Sequence, residues 1–85
     1  METILYTDAA RSYAAKANRP VNEHVINVIA SVMMTRDNVL RGGHFAQAVV
    51  NNNLRDAVSR ADEDVLRELK LIVMASNNAF LDDLI

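Results

Sequence analysis

Apolar residues recur at steps of three and four along most of the chain, and this spacing marks one buried face of an α-helix. The first run predicts a helix from about Glu2 to Ala17. Asn18 and Arg19 end it, because the following Pro20 disfavours a helical conformation in the residue before it. Its apolar positions are Leu5, Tyr6, Ala9, Ala10, Tyr13 and Ala14. One face of this helix is therefore expected in the core.

A second and more apolar run follows, and it is predicted to lie at the centre of the core. Pro20 suits the first turn of this helix, where its missing N–H costs nothing, and Asn22 is an alternative N-cap. The apolar positions are Val25, Ile26, Val28, Ile29, Val32, Met33 and Met34. Valine and isoleucine also permit a buried strand over residues 25–32, but the length of the run and the capping signals favour a helix.

A turn is predicted between residues 35 and 43. We expect Val39 and Leu40 to tuck inward. Gly42 or Gly43 is expected to supply a positive φ, which other residues adopt only at a cost.

Two short helices are predicted on either side of the run Asn51–Asn53, at about His44 to Val50 and about Leu54 to Arg60. The positions expected to be buried are Phe45, Ala48, Val49, Leu54, Ala57 and Val58. Helices this short are marginal in isolation. They are therefore expected to pack together as an αα-hairpin against the rest of the chain.

Asp62 is predicted to be the N-cap of a long last helix, with Glu63 and Asp64 near the positive end of its dipole. The apolar positions of this helix are Val65, Leu66, Leu69, Ile72 and Val73, with Ala79 or Phe80. Asn77 and Asn78 are expected to end or fray it.

Composition agrees with a helical fold. The two glycines and the single proline lie where helices are expected to break. The predicted fold is therefore all-α, a compact bundle of four to five helices with a central αα-hairpin and a long C-terminal helix, in a single domain over residues 1–85. The chain has no cysteine, so neither a disulfide nor a cysteine-based zinc site can supplement the core.

Charge and hydropathy narrow the possible partners. The net charge of −2 argues against broad attraction to nucleic acid or anionic lipid. No apolar run approaches the roughly 20 residues of a membrane span, and the start of the chain lacks the layout of a signal peptide. We therefore expect a cytoplasmic protein without a membrane partner.

The second half of the chain carries a pattern that extends beyond helical spacing. It reads Gly43-x-Phe45-x-x-Ala48-Val49-x-x-Asn52-x-Leu54-x-x-Ala57-x-x-Arg60-Ala61-Asp62, followed by a leucine-rich helix and an asparagine pair. Over about residues 42–80 this pattern resembles small accessory proteins of temperate bacteriophages and prophages. The resemblance implies a bacterial or phage context, and it assigns no catalytic residue.

No residues have the spacing of a catalytic or metal site. His24 and His44 lack a second ligand at the i,i+4 position, and acidic pairs such as Asp62 and Asp64 are better explained by helix capping. No serine lies in the context of a strained nucleophile turn. We therefore expect neither an enzyme nor a cofactor, and no small-molecule substrate.

An excess of apolar residues favours a protein that acts through contact with another protein. The second helix is apolar over a wide arc, and large apolar side chains follow Asn78. The candidate contact residues are Met33, Met34, Phe80, Leu81, Leu84 and Ile85. Methionine is adaptable at such surfaces, although core packing is the more usual role for residues of both groups. The leading hypothesis is a non-enzymatic accessory protein that forms a homodimer or binds a host protein.

DNA binding is the alternative function. The arginines that would contact nucleic acid are Arg36, Arg41, Arg55 and Arg60. The two short helices on either side of the asparagine run also suggest a helix-turn-helix. The segment from Ala61 onward is acidic, however, and repels phosphate, so a small helical DNA-binding regulator ranks second.

Overall fold

The computed structural model describes residues 2–16 and 20–78. Within these ranges the chain forms six α-helices and no strand, which confirms the predicted all-α class. The helices are α1 (Glu2–Ala15), α2 (Glu23–Arg36), α3 (His44–Val50), α4 (Leu54–Arg60), α5 (Glu63–Arg67) and α6 (Leu69–Asn78). The number exceeds the four to five predicted, because the long last helix is interrupted. The Cα radius of gyration of 11.6 Å is that of a compact chain.

The centre of the fold is α2, which packs against α1, α3, α5 and α6. Its buried residues are Val25, Ile26, Ile29, Ala30, Val32, Met33 and Met34. Together with Ile72 of α6 they form the middle of the hydrophobic core. Complete burial of one such aliphatic side chain contributes roughly 1.5–3 kcal/mol.

The wide apolar arc of α2 is occupied by neighbours within the same chain. Met33 is fully buried and Met34 nearly so. Neither residue belongs to an exposed contact surface, and the alternative of core packing applies to both.

The contact between α1 and α2 is made largely by small side chains. The buried positions of α1 are Tyr6, Ala9, Ala10 and Ala14. Leu5 was expected on the same face but is exposed, because the closest approach to α2 follows the line from Tyr6 through the alanines. The helix ends at Ala15, shortly before the predicted end.

Asparagine and aspartate side chains begin three of the helices. At the start of α2, Asn22 Oδ1 accepts the backbone N–H of His24 at 2.7 Å. Pro20 lies outside the helix, so its predicted place in the first turn is wrong and the alternative N-cap is the one used. Asn53 caps α4, and Asp62 caps α5 as predicted. Each side chain satisfies a backbone N–H that has no partner within its helix.

In the part of the chain that the structure describes, both turn residues with a left-handed backbone are asparagines. Asn38 after α2 has a φ of 61°, and Asn52 between α3 and α4 has a φ of 60°. The expectation that Gly42 or Gly43 has a positive φ is wrong, because asparagine also tolerates this conformation.

Val39 and Leu40 are exposed, which corrects the prediction that they tuck inward. Their backbone N–H groups both donate to the carbonyl of Met34, at 2.9 and 3.4 Å. The main chain therefore closes this turn, and the two apolar side chains are not needed to hold it.

Gly42 is required by a close approach between the loop and α2. Its N–H donates to Thr35 Oγ1 at 3.0 Å, and that hydroxyl donates to the carbonyl of Ser31 at 2.8 Å. Gln47 Nε2 donates to the Gly42 carbonyl at 2.7 Å. A Cβ added at Gly42 would overlap Thr35 Oγ1 and lie 2.8 Å from the Cβ of Ala46. These contacts fix the start of α3 against the end of α2.

The pair α3 and α4 begins and ends at the predicted residues, and the two helices pack against each other. The buried side chains are Ala46, Ala48 and Ala57, with Phe45 and Val49 partly buried. Leu54 and Val58 were predicted to be buried but are exposed. The reason is that α4 buries only its small Ala57 and turns its longer side chains outward.

The last predicted helix is interrupted at Glu68, where φ is −106° and ψ is 20°. The Glu68 N–H is shared between the carbonyls of Asp64, at 3.3 Å, and Val65, at 3.2 Å. Such sharing is typical of a locally tightened helical turn. Helix α6 resumes at once, since Ile72 N–H donates to the Glu68 carbonyl at 3.0 Å. Val65 and Ile72 are buried as predicted, whereas Leu66 is exposed.

Gly42→Ala is expected to lower the free energy of unfolding by about 1–3 kcal/mol, because the added methyl group overpacks the contact with Thr35 and Ala46. Gly43→Ala is the matched control, since its added Cβ meets no heavy atom within 4 Å. Its φ of −68° also suits alanine, so we expect a change below about 0.5 kcal/mol. Urea denaturation measures both variants. Equal effects at the two positions would contradict the role given to Gly42.

Candidate functional site

The structure places two of the six predicted contact residues. Met33 and Met34 lie in the core. The other four, Phe80, Leu81, Leu84 and Ile85, lie outside the described residues. Exposed large apolar side chains are found elsewhere, at Ile4, Leu5, Val39, Leu40, Leu54, Val58, Leu66 and Met74. Val39 and Leu40 line a cleft between the end of α2 and α3, whereas Leu54 of α4 and Met74 of α6 each line a groove between helices.

The four arginines considered for nucleic-acid contact do not form one surface. Arg36 is largely buried, and its Nη1 donates to the carbonyl of Ser76 at 2.7 Å. Arg41 lies in the exposed loop before α3. Arg55 and Arg60 are five residues apart in α4, and at this spacing they point about 140° apart around the helix.

A polar network joins three helices at one end of the fold. Arg36 Nε donates to Asp37 Oδ1 at 2.8 Å, and the Tyr6 hydroxyl of α1 donates to the other oxygen of that carboxylate at 2.7 Å. Arg36 Nη1 also contacts the carbonyls of Ala75 and Ser76 in α6. The hydrogen bonds from Arg36, and then from Tyr6, hold the pKa of Asp37 below its usual value. The network therefore ties α1 and α6 to the end of α2.

His24 and Asp62 approach each other where α2 and α5 begin. His24 Nε2 lies 2.8 Å from Asp62 Oδ2, and Asp62 Oδ1 accepts the Val65 N–H at 2.9 Å. The bond from Val65, followed by that from His24, holds the pKa of Asp62 below its usual value. In residues 2–16 and 20–78, no three His, Cys, Asp or Glu side chains are grouped to hold a metal ion. Because Asp62 caps α5 through the Val65 N–H, helix capping accounts for the position of its carboxylate beside His24.

A shallow apolar groove, here called the α4 groove, lies between the α3–α4 pair and α6. Its lining residues are Ala48, Val49, Asn52, Asn53, Leu54, Ala57, Leu69 and Val73, and its volume is about 150 Å³. Leu54 stands at its edge with 67% of its surface exposed, and Val58 is exposed one turn further along α4. Polar side chains come only from the two asparagines of the turn, so the groove suits an apolar group.

A second groove, here called the α1–α6 groove, is larger and charged. Its lining residues are Tyr13, Lys16, Arg67, Glu68, Lys70, Leu71 and Met74, and its volume is about 480 Å³. Three cationic side chains surround an apolar floor. Glu68 is the single carboxylate in the lining and is largely buried. This groove is therefore electropositive and amphipathic, unlike the α4 groove.

Helical spacing does not reveal either groove. Leu54, Ala57 and Val58 together have the spacing of one buried face, and the structure buries only Ala57, whose small side chain permits a close approach. Met74 lies two residues from the buried Ile72. It is therefore on the opposite side of α6, and this could be inferred once Ile72 is placed in the core.

No helix in the described part of the chain combines the length and apolar character needed to cross a bilayer. Comparison of the chain with known protein families, curated proteins and solved structures finds no match. Function is therefore inferred from the two grooves and from the arrangement of charges around them.

Asp37→Asn is expected to lower the free energy of unfolding at pH 7 by about 1–2 kcal/mol, because it removes the charge that Arg36 and Tyr6 stabilise. The contribution of Asp37 is fully present above the ordinary carboxyl pKa of about 3.9, and it is lost as the pH falls through the lower folded-state pKa. The variant should therefore lose stability less steeply than the natural chain below about pH 4.

Urea denaturation across this pH range measures the effect of Asp37→Asn. Asp56→Asn is the matched control, because Asp56 faces Arg60 at 3.8 Å in an exposed pair, which contributes about 0.5 kcal/mol or less. The same acid dependence in both variants would show that Asp37 has no special part in stability.

Proposed function

We propose that this chain is a non-enzymatic, cytoplasmic accessory protein of the temperate-phage and prophage type, and that it acts through protein–protein contact. Its partner is a second copy of the chain, which binds at the α4 groove to form a homodimer. The observation that carries this proposal is the exposed Leu54 beside an apolar groove. The pattern over residues 43–62 supports the phage context.

The shape of the α4 groove suits self-association. A cavity of about 150 Å³ is of the size that accepts a benzene-sized apolar group, and a leucine side chain is of similar bulk. Leu54 stands at the rim of the same groove. In a two-fold symmetric dimer each copy inserts Leu54 into the groove of the other, because such an interface uses the same patch on both subunits.

The charges on α4 are also compatible with pairing of two copies. Arg55, Asp56 and Arg60 place both signs on one short helix. Arg60 Nε lies 3.8 Å from Asp56 Oδ1, which is too long for a hydrogen bond. The carboxylate therefore remains able to accept from an arginine of the second copy, and like charges do not accumulate at the interface.

The arrangement of the arginines favours protein contact over DNA binding. Arg36 is held by the carbonyls of α6 and by Asp37. On α4, which would be the recognition helix, Leu54 and Val58 are exposed, and Asp56 repels phosphate. A recognition helix instead presents polar side chains to base edges.

Leu54→Glu is expected to weaken self-association by about tenfold to a hundredfold, because it places a charge in the apolar centre of the interface. Size exclusion coupled to light scattering, run over a series of concentrations up to the high micromolar range, measures the effect. The natural chain should approach twice the 9.4 kDa mass of the monomer, and the variant should remain near it.

Leu66→Glu is the matched control, because Leu66 is also an exposed leucine but lies on α5 outside the α4 groove. It should leave the dimer intact.

A natural chain that stays monomeric at every concentration would overturn self-association. If that monomer bound a host protein and lost it in Leu54→Glu, the contact would belong to the host protein. Salt-sensitive retention on duplex DNA that is lost in Arg55→Ala would favour the DNA-binding alternative.

A further inference from the structure

The α1–α6 groove is lined by cations that come from separate parts of the chain. Lys16 follows α1, Arg67 is the last residue of α5, and Lys70 lies in the first turn of α6. The lining holds these three cations and one carboxylate, Glu68, which gives it a formal charge of +2. The whole chain instead has a net charge of −2. An anion is therefore attracted to this groove and not to the chain in general.

Two of these cations are only lightly engaged by the part of the chain that the structure describes. Lys70 forms no ion pair with any residue in the ranges 2–16 and 20–78. Arg67 Nη1 lies 3.4 Å from Asp64 Oδ1. Because a guanidinium carries five N–H donors, this one long contact occupies few of them. Both side chains are exposed, so they can turn toward a bound anion.

The floor of the groove is apolar, and the core holds it in place. Tyr13 and Leu71 are partly buried and pack against the hydrophobic core, so their positions do not depend on a ligand. The backbone N–H of Lys16 donates to the carbonyl of Tyr13 at 3.0 Å, which turns the chain at the end of α1. Lys16 Nζ lies 5.3 Å from the centre of the Tyr13 ring. Positive charge and apolar surface therefore adjoin, as an amphipathic anion requires.

The size and charge of the groove define the ligand that it fits. Its volume of about 480 Å³ lies within the range of small-molecule pockets, roughly 300–1,000 Å³. The planar fork of Arg67 matches a carboxylate, to which it can donate two parallel hydrogen bonds. Glu68 lies in the same lining, so a head group with two negative charges is repelled more strongly than one with a single charge.

We propose that the α1–α6 groove binds a small amphipathic monocarboxylate, an acid with one alkyl chain or one ring. The apolar part of the ligand lies on Tyr13 and Leu71, and its carboxylate is held by Lys16, Arg67 and Lys70. This inference goes beyond the proposed function. The α1–α6 groove and the α4 groove share no lining residue, and self-association requires no ligand.

Octanoate is a suitable probe, because it joins one carboxylate to a flexible apolar chain. The full chain, labelled with ¹⁵N, is titrated with octanoate and separately with acetate and 1-octanol, which lack the alkyl chain and the charge respectively. We expect octanoate to shift the amide signals of Lys70 and Leu71, and its methylene protons to give nuclear Overhauser contacts to the Tyr13 ring. Tyr6 is the internal control, because its ring is buried and should show no such contact.

Reversal of one charge tests the role of the cations. Lys70→Glu is expected to weaken octanoate binding about tenfold, because it replaces attraction by repulsion, whereas Lys70→Arg should retain binding. Arg41→Glu is the matched control, since Arg41 is exposed, lies outside this groove and changes the net charge by the same amount. Lys16→Glu with Lys70→Glu gives the lining a formal charge of −2. This double variant should bind octylammonium more tightly than octanoate.

Three outcomes would overturn the proposal. If octanoate shifts no amide, or binds no more tightly than 1-octanol, the cations hold no carboxylate. If Arg41→Glu weakens binding as much as Lys70→Glu, the net charge of the chain attracts the anion and the groove does not. Octyl phosphate that binds more tightly than octanoate would contradict the choice of a monocarboxylate. None of these outcomes bears on self-association, which Leu54→Glu tests separately.

Discussion

The burial of α2 is the interaction on which the rest of the structure depends. A chain of this size buries only about 60–65% of the surface that it exposes when unfolded, and this one has no cysteine to cross-link it. Four other helices pack on α2, and α4 is placed indirectly through α3. Because the apolar arc of α2 is covered by its own neighbours, a partner of the proposed kind would have to use surfaces on the peripheral helices.

The ends of α2 are where this packing is locked into one arrangement. At one end, Asn22 caps the helix and His24 meets Asp62 of the α5 cap. At the other, Arg36 and Asp37 connect to α6 and α1. Hydrophobic burial alone does not fix rotation and register, whereas these directional bonds do. They also explain why Arg36, although it is cationic, has a structural role in this fold.

Local signals in the sequence predict much of the fold, and long-range contacts account for what they miss. The bounds of α3 and α4 and the cap at Asp62 follow from short-range glycine, asparagine and aspartate chemistry. How much of α4 is buried depends on its approach to α3, because helical spacing places both Leu54 and Ala57 on one face and only Ala57 is buried. The bond from Arg36 to Ser76 joins residues 40 positions apart, so no local pattern reports it. Both grooves arise from long-range packing of this kind, in which helices distant in the sequence approach one another.

The way in which α4 is attached has a consequence for how the proposed partner would be recognised. This helix has seven residues, and Ala57 is the only one that it buries. An element held by so little apolar contact lies at the low end of local stability and opens without unfolding of the core. Binding of the proposed partner at the α4 groove would therefore be coupled to a local folding equilibrium. A partner that covers Leu54 would protect the amides of α4 from hydrogen exchange and leave those of α2 unchanged.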